Sequence, residues 1–139
     1  MAALTEYIER FTKGSGDIID LTPSVAGIVE ENKIGSGIVC VFIPGSTGAI
    51  TTIEYEPGLK KDLPVFLEKI APYVGRYHHH DTWHDDNGSS HIQAAMIGPS
   101  LSVPVVNGAL MLGTWQQIVL VECDTRPRNR KIIVQIVWY

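Results

Sequence analysis

All five histidines lie in one stretch, Tyr77-His78-His79-His80-Asp81-Thr82-Trp83-His84-Asp85-Asp86-Asn87-Gly88-Ser89-Ser90-His91, interleaved with Asp81, Asp85 and Asp86. Imidazole and carboxylate bind borderline and hard metal ions at neutral pH and exchange protons between roughly pH 5 and 8. Their concentration here points to a site. His80 and His84, four apart, would share a face if the segment were helical. Ser90-His91-Ile92-Gln93 has the form of a capping box, which makes His91 the first residue of a helix. The positive end of that helix dipole favours a neutral imidazole able to bind a metal. His80, His84 and His91 are therefore the candidate metal ligands, with Asp86 or Asp81 completing the shell or orienting a ring. His78 and His79 read as exposed neighbours. The alternative is a solvated loop with Asp, Asn and Gly chosen for turns. Trp83 and the gathering of every histidine favour a site.

Two further segments carry chemistry. Ser46-Thr47-Gly48-Ala49-Ile50-Thr51-Thr52-Ile53-Glu54 places small hydroxyl residues and glycine after an apolar strand, where backbone N–H and side-chain O–H groups can meet an anion. A plain hairpin is the competing reading. Glu54 ends that run as a candidate acid, base or ligand. Arg126, Arg128, Arg130 and Lys131 form the only basic run. They can clamp a phosphorylated ligand or form a solvated turn, with Arg126 and Arg130 as the inward pair.

The elements that position these residues follow from periodicity. Tyr7–Thr12, Asp17–Leu21, Gly37–Ile43, Ala49–Tyr55, Leu101–Val106, Ala109–Leu112, Trp115–Cys123 and Ile132–Tyr139 read as strands. Asn107-Gly108 is a hairpin signal. Helices are expected from Thr22-Pro23 to Asn32, over Leu59–Ile70 with Pro64 confining the regular part to the residues after it, and from Ser90 to Gly98-Pro99. A single α+β domain over residues 1–139 results, with seven or eight strands in mostly antiparallel sheets and three helices.

The chain's 139 residues, 45% of them hydrophobic and 19% charged, can bury a real core. A formal net charge of −4 offers no field for nucleic acid. Cys40 and Cys123 sit in apolar runs and read as reduced core thiols. No stretch approaches the roughly 18 apolar residues of a membrane span, and the N-terminus lacks a basic region followed by an apolar one, so a cytoplasmic protein without membrane partners is expected.

The order of these segments resembles a known family. Ser46 to Glu54, then His80 with Asp86-Asn87-Gly88 and Ser90-His91, Gly98-Pro99-Ser100-Leu101, Val103-Pro104-Val105-Val106-Asn107-Gly108, and Leu112-Gly113-Thr114-Trp115-Gln116-Gln117-Ile118 look like the YjbQ-like family, also described as secondary thiamine-phosphate synthases. The resemblance runs from about Tyr7 to Val137. It departs from a commoner family form at Gly45-Ser46, where a histidine precedes the threonine. It implies a homotrimer with sites near subunit boundaries. It also implies a weak activity joining hydroxymethylpyrimidine diphosphate to thiazole phosphate with loss of pyrophosphate. Glu54, His80, Asp86 and His91 are carried into the family's polar site, and Thr47, Thr51, Asn107, Thr114 and Arg130 into its surroundings. In that chemistry Mg²⁺ on Asp86 or Glu54 and a guanidinium from Arg126 or Arg130 would draw off the pyrophosphate, and His91 would assist protons. A Zn²⁺ on the histidines would instead suit a hydrolase. A trimer that binds a phosphorylated metabolite without turnover is the third possibility.

Overall fold

The computed structural model describes residues 1–139. Twelve elements follow one another: β1 Ala2–Phe11, β2 Ile18–Asp20, α1 Thr22–Glu31, β3 Gly37–Phe42, β4 Gly48–Ile53, α2 Pro57–Ile70, α3 His78–Trp83, α4 Gly88–Ile97, β5 Ser100–Val106, β6 Ala109–Leu110, β7 Gln117–Glu122 and β8 Asn129–Trp138. Every strand pairing is antiparallel. One sheet has the order β1-β8-β3-β5-β6 and the other β2-β7-β4. The expected α+β architecture is thus the observed one, with four helices in place of three.

Three layers result. The even-numbered side chains Ile8 on β1 and Ile132, Val134 and Ile136 on β8 join Val39, Val41, Val103 and Val105 to form the inner face of the larger sheet. They pack on Ile50, Ile118 and Leu120 of the smaller sheet and on Val25 and Val29 of α1. The reverse face of the smaller sheet, Ala49, Val119, Val121 and Cys123, packs on Leu67 of α2 and Ala94 of α4. β7 is therefore covered on both faces, which is why Ile118–Val121 reads as a continuous apolar run rather than an alternating one.

Several boundaries differ from expectation for local reasons. β1 begins at Ala2 because it pairs with β8 along its whole length, Ala2 opposite Trp138. α2 runs through Pro64. Its start is fixed by Glu56, whose carboxylate accepts from the backbone N–H groups of Gly58 and Leu59. α4 begins three residues before the expected cap: Asn87 is the N-cap residue and Ser90 lies inside the helix. Trp115 and Gln116 belong to a turn before β7, closed by the Gln116 N–H donating to the Gly113 carbonyl at 3.1 Å. Both cysteines are unpaired; Cys123 is buried, while Cys40 is half-buried on the outer face of β3. No helix is long and apolar enough to cross a membrane.

Candidate functional site

The histidine segment folds as α3, a reversal and the first turn of α4. His84 closes α3 with φ 58°, and Asp86 follows at φ 55°, two left-handed residues that turn the chain sharply. Gly88 is required at the start of α4 because Tyr77 packs on its Cα; a Cβ there would lie 2.5 Å from the Tyr77 Cβ. The turn folds the imidazoles into two pairs. His79 and His91 pack with ring centroids 4.3 Å apart and planes inclined at 49°, and His80 meets His84 edge to face at 5.4 Å.

Carboxylates accompany both pairs. His79 Nε2 lies 3.2 Å from Asp85 Oδ1, and His80 Nδ1 lies 2.9 Å from Asp86 Oδ1. The Asn87 amide is wedged beside the first pair. In the orientation that satisfies it, its nitrogen donates to His79 Nε2 at 3.0 Å and to Asp85 Oδ1 at 2.9 Å. That engagement explains why Asn87 leaves the helix uncapped. His80 Nδ1 approaches Asp86 closely but without the geometry of a hydrogen bond, so this buried atom and the Ser90 hydroxyl are left without a hydrogen-bond partner. His80, His84 and His91 do not converge, and no group of three or more His, Cys, Asp or Glu side chains is arranged to hold a metal ion. His79, expected to be an exposed neighbour, is instead the partner of His91. His78 does remain exposed.

His91 is the fourth residue of α4, not the first, and its N–H donates to the Asn87 carbonyl. Its pKa lies below the ordinary imidazole value of 6.5 because burial disfavours the charged ring and the charge on His79 adds to this, against the opposing pull of Asp85 and Asp124. The direction of this shift favours a neutral imidazole, with burial as its largest cause.

Asp124 joins this cluster to a buried ionic network that the sequence did not announce. Arg130 on β8 donates from Nε to Glu122 Oε1 at 2.8 Å and from Nη2 to the other carboxylate oxygen. The same Nη2 donates to the Thr47 hydroxyl at 2.9 Å. Thr47 donates to Asp124 Oδ2 at 3.0 Å, Arg128 Nε donates to that same oxygen at 2.8 Å, and Thr12 donates to Glu122 Oε1 at 2.7 Å. Burial pushes the Asp124 pKa up, but hydrogen bonds from Arg128, Thr125 and Thr47, with the Arg128 charge, hold it below its ordinary value. Arg130 is thus inward as expected, with Thr47 buried beside it. Arg126 is not: it is exposed, and Arg128 takes the inward place.

Two cavities flank the histidines. One of about 330 Å³ is bounded by Gly45, Ser46, Gly48 and His91 against an apolar wall of Ala94, Ala95 and Pro99. The other, about 380 Å³, is bounded by Tyr73, Arg76, Tyr77, His80, Asp86 and Gly88. Gly88, which bounds the second cavity, and His91, which bounds the first, lie three residues apart on α4.

The remaining expected residues lie elsewhere. Glu54 is exposed beyond the far end of β4, roughly 20 Å from Gly48 at about 3.3 Å per strand residue. It shares a third cavity of about 470 Å³ with Thr114, Trp115 and Asp20. Thr51 is half-buried and lines a cleft between β4 and β5. Asn107 is an exposed hairpin residue with φ 51°, followed by Gly108 at φ 79°.

The model of the YjbQ-like UPF0047 proteins matches residues 6–138. The chain belongs to this family. It is 39% identical over 136 residues to a UPF0047 protein of Methanothermobacter thermautotrophicus, covering 98% of this chain and 93% of that one. A UPF0047 protein of Archaeoglobus fulgidus is 42% identical over 119 residues, 86% of this chain and 90% of the relative. Among solved structures, a YbjQ-like protein of unknown function from Sulfolobus solfataricus superposes with a TM-score of 0.86 at 31% identity, covering 97% of this chain and 98% of that one. A YjbQ/UPF0047 protein from Clostridium acetobutylicum gives 0.82 at 38% identity, over 94% of this chain and 99% of that one.

Proposed function

We propose that this YjbQ-like protein condenses two small ring substrates in a reaction of the thiamine-phosphate synthase type. Hydroxymethylpyrimidine diphosphate and thiazole phosphate would be the substrates, and pyrophosphate the leaving group. The supporting observation is a pair of cavities bounded by neighbouring residues of the histidine segment, His80 and Asp86 in one and His91 in the other. A condensation needs two neighbouring pockets whose contents meet, and holding both reactants in place supplies much of the rate.

In this reaction the thiazole nitrogen lone pair forms the new C–N bond to the pyrimidine methylene carbon. The C–O bond to the diphosphate breaks, and pyrophosphate departs with that electron pair. Tyr73 and Tyr77 offer ring faces to the pyrimidine, and Asp86 accepts from its exocyclic amine. His91, neutral near pH 7, shuttles the proton that charges or discharges the departing phosphate oxygens. Arg130 supplies positive charge beside the cavity that holds His91.

His80, His84 and His91 fall into separate pairs in one chain, and the steps above use the chain's own side chains; a divalent cation held by Asp86 would add positive charge at the departing diphosphate. Glu54, just past the end of β4, and Thr114, in the segment before β7, line a separate cavity of one chain. We assign them to a second polar surface that a neighbouring copy in a homotrimer would bring to the site.

The test is direct. Incubation of the full chain with both substrates should release thiamine phosphate and pyrophosphate in equal amounts, and His91→Ala should lower kcat by roughly 10²–10⁴ if the ring moves a proton. Product no faster than the protein-free control overturns the condensation and leaves a binding protein.

A further inference from the structure

We propose that the loop Gly45-Ser46-Thr47, together with the free end of Arg130, is a cradle for a tetrahedral oxyanion, the phosphate group of a small phosphate ester. The inference rests on the reading above that the cavity beside His91 takes a phosphorylated ligand, and it identifies which atoms would hold the phosphate.

The argument begins with backbone donors. The loop runs between β3 and β4, and none of the N–H groups of Gly45, Ser46 and Thr47 donates to any acceptor in the chain. Pro44 before them has no N–H at all. Buried N–H groups are almost always paired, and Thr47 is buried. Gly45 and Ser46 are exposed, so their N–H groups are open to solvent or to an incoming acceptor, beside the buried Thr47. Gly45 has φ +119°, a conformation that favours glycine and turns the loop past the Arg130 guanidinium.

The second observation is independent of the first. The Arg130 side chain is nine-tenths buried and Glu122 occupies its Nε and Nη2, yet Nη1 has no partner within the chain. The guanidinium lies against the same loop. A Cβ on Gly45 would sit 3.3 Å from Nη1, and one on Gly48 would sit 3.2 Å from Cζ. Glycine at both positions keeps the space over the guanidinium open to the cavity that Gly45, Gly48 and His91 bound. Glu122 thus fixes the guanidinium plane and leaves one edge for a ligand. A tetrahedral oxyanion can accept from Nη1 on one oxygen and from the loop N–H groups on the others, with His91 donating across the cavity. Ala94, Ala95 and Pro99 give the facing wall no competing charge.

The experiment uses the whole chain and inorganic phosphate. Titration followed by amide ¹H–¹⁵N spectra should move Gly45, Ser46 and Thr47 and the side-chain signals of Arg130 saturably, ahead of all other residues. Arg130→Lys keeps the charge but not the planar donor edge and should weaken phosphate binding roughly tenfold or more. Because that variant also disturbs Glu122, its fold is checked by the same spectra, and the wild-type titration decides if it fails to fold. Shifts scattered over surface lysines with the loop unmoved would overturn the cradle. Phosphate held in the loop without condensation would retain the cradle and remove the proposed reaction. Condensation with the loop unmoved would do the reverse.

Discussion

Replacing Glu122 by alanine removes the acceptor for two nitrogens of a buried guanidinium, for the Thr12 hydroxyl and for the Asp124 N–H. Glu122 is 1% exposed and Arg130 7%, so water cannot replace the lost partner. Breaking a buried pair by deleting one member costs about 3–5 kcal/mol, most of it the penalty of the charge left behind. Against a typical total of about 5–15 kcal/mol, the variant should still fold at low temperature but lie close to its limit. Urea unfolding at fixed protein concentration is the assay. With a slope of roughly 2 kcal/mol per molar, the midpoint should fall by about 2 M. Deleting both charges as Glu122→Met with Arg130→Met should recover much of the loss, because no uncompensated charge remains. A Glu122→Ala loss below about 1 kcal/mol, or a double variant as unstable as the two single losses added together, would refute the claim that this pair is desolvated and coupled.

Other outcomes follow from the same geometry. Gly88→Ala should cost about 1–3 kcal/mol by thermal unfolding, since the new methyl group meets Tyr77 at 2.5 Å. The lowered pKa of His91 means that the unfolded chain takes up a proton near pH 6.5 while the folded ring resists it. Folding stability should therefore decline as pH falls from about 6.5 towards the folded value, and His91→Gln should flatten that part of the profile. Asp124 has the usual carboxylate sign: its stabilisation is complete above about pH 3.8 and disappears as pH falls through its lower folded pKa, a loss that Asp124→Asn should abolish. Burial pushes the Cys123 thiol up to about 12, so alkylation of the native protein near pH 8 should label Cys40 and spare Cys123, as peptide mass analysis would show.

Much of this was legible in the chain, and the misses have physical causes. Strand runs such as Gly37–Ile43 and the Asn107-Gly108 turn announce themselves through local chemistry, which tertiary contacts reinforce. The candidate segment stood out equally, because no structural need puts five imidazoles in fourteen residues. Its internal pairing was not, since it depends on the reversal at His84–Asp86 and on Tyr77 closing over Gly88, both non-local. Glu122 stands out by no motif, but the parity of its strand carries a clue. It lies two residues after Leu120, and Arg130 two before Ile132, on strand faces that both turn inward. Two opposite charges at core-facing positions call for each other. Arg126 was preferred to Arg128 because only the course of the β7–β8 loop decides which of them turns back to Asp124.

The contrast between the two sets of ion pairs sets how the molecule should respond to ionic strength. Arg76–Asp81 and His78–Asp81 lie at the surface, within a bath of mobile ions that shortens the reach of their attraction to about 8 Å at physiological salt. The Glu122–Arg130 pair has almost no solvent around it for counterions to occupy. Added salt should therefore loosen α3 and the rim of its cavity far more than the Glu122–Arg130 contact between the sheets. The protein holds the base of its site by a charge pair that salt screens weakly and the entrance by charges that it screens strongly.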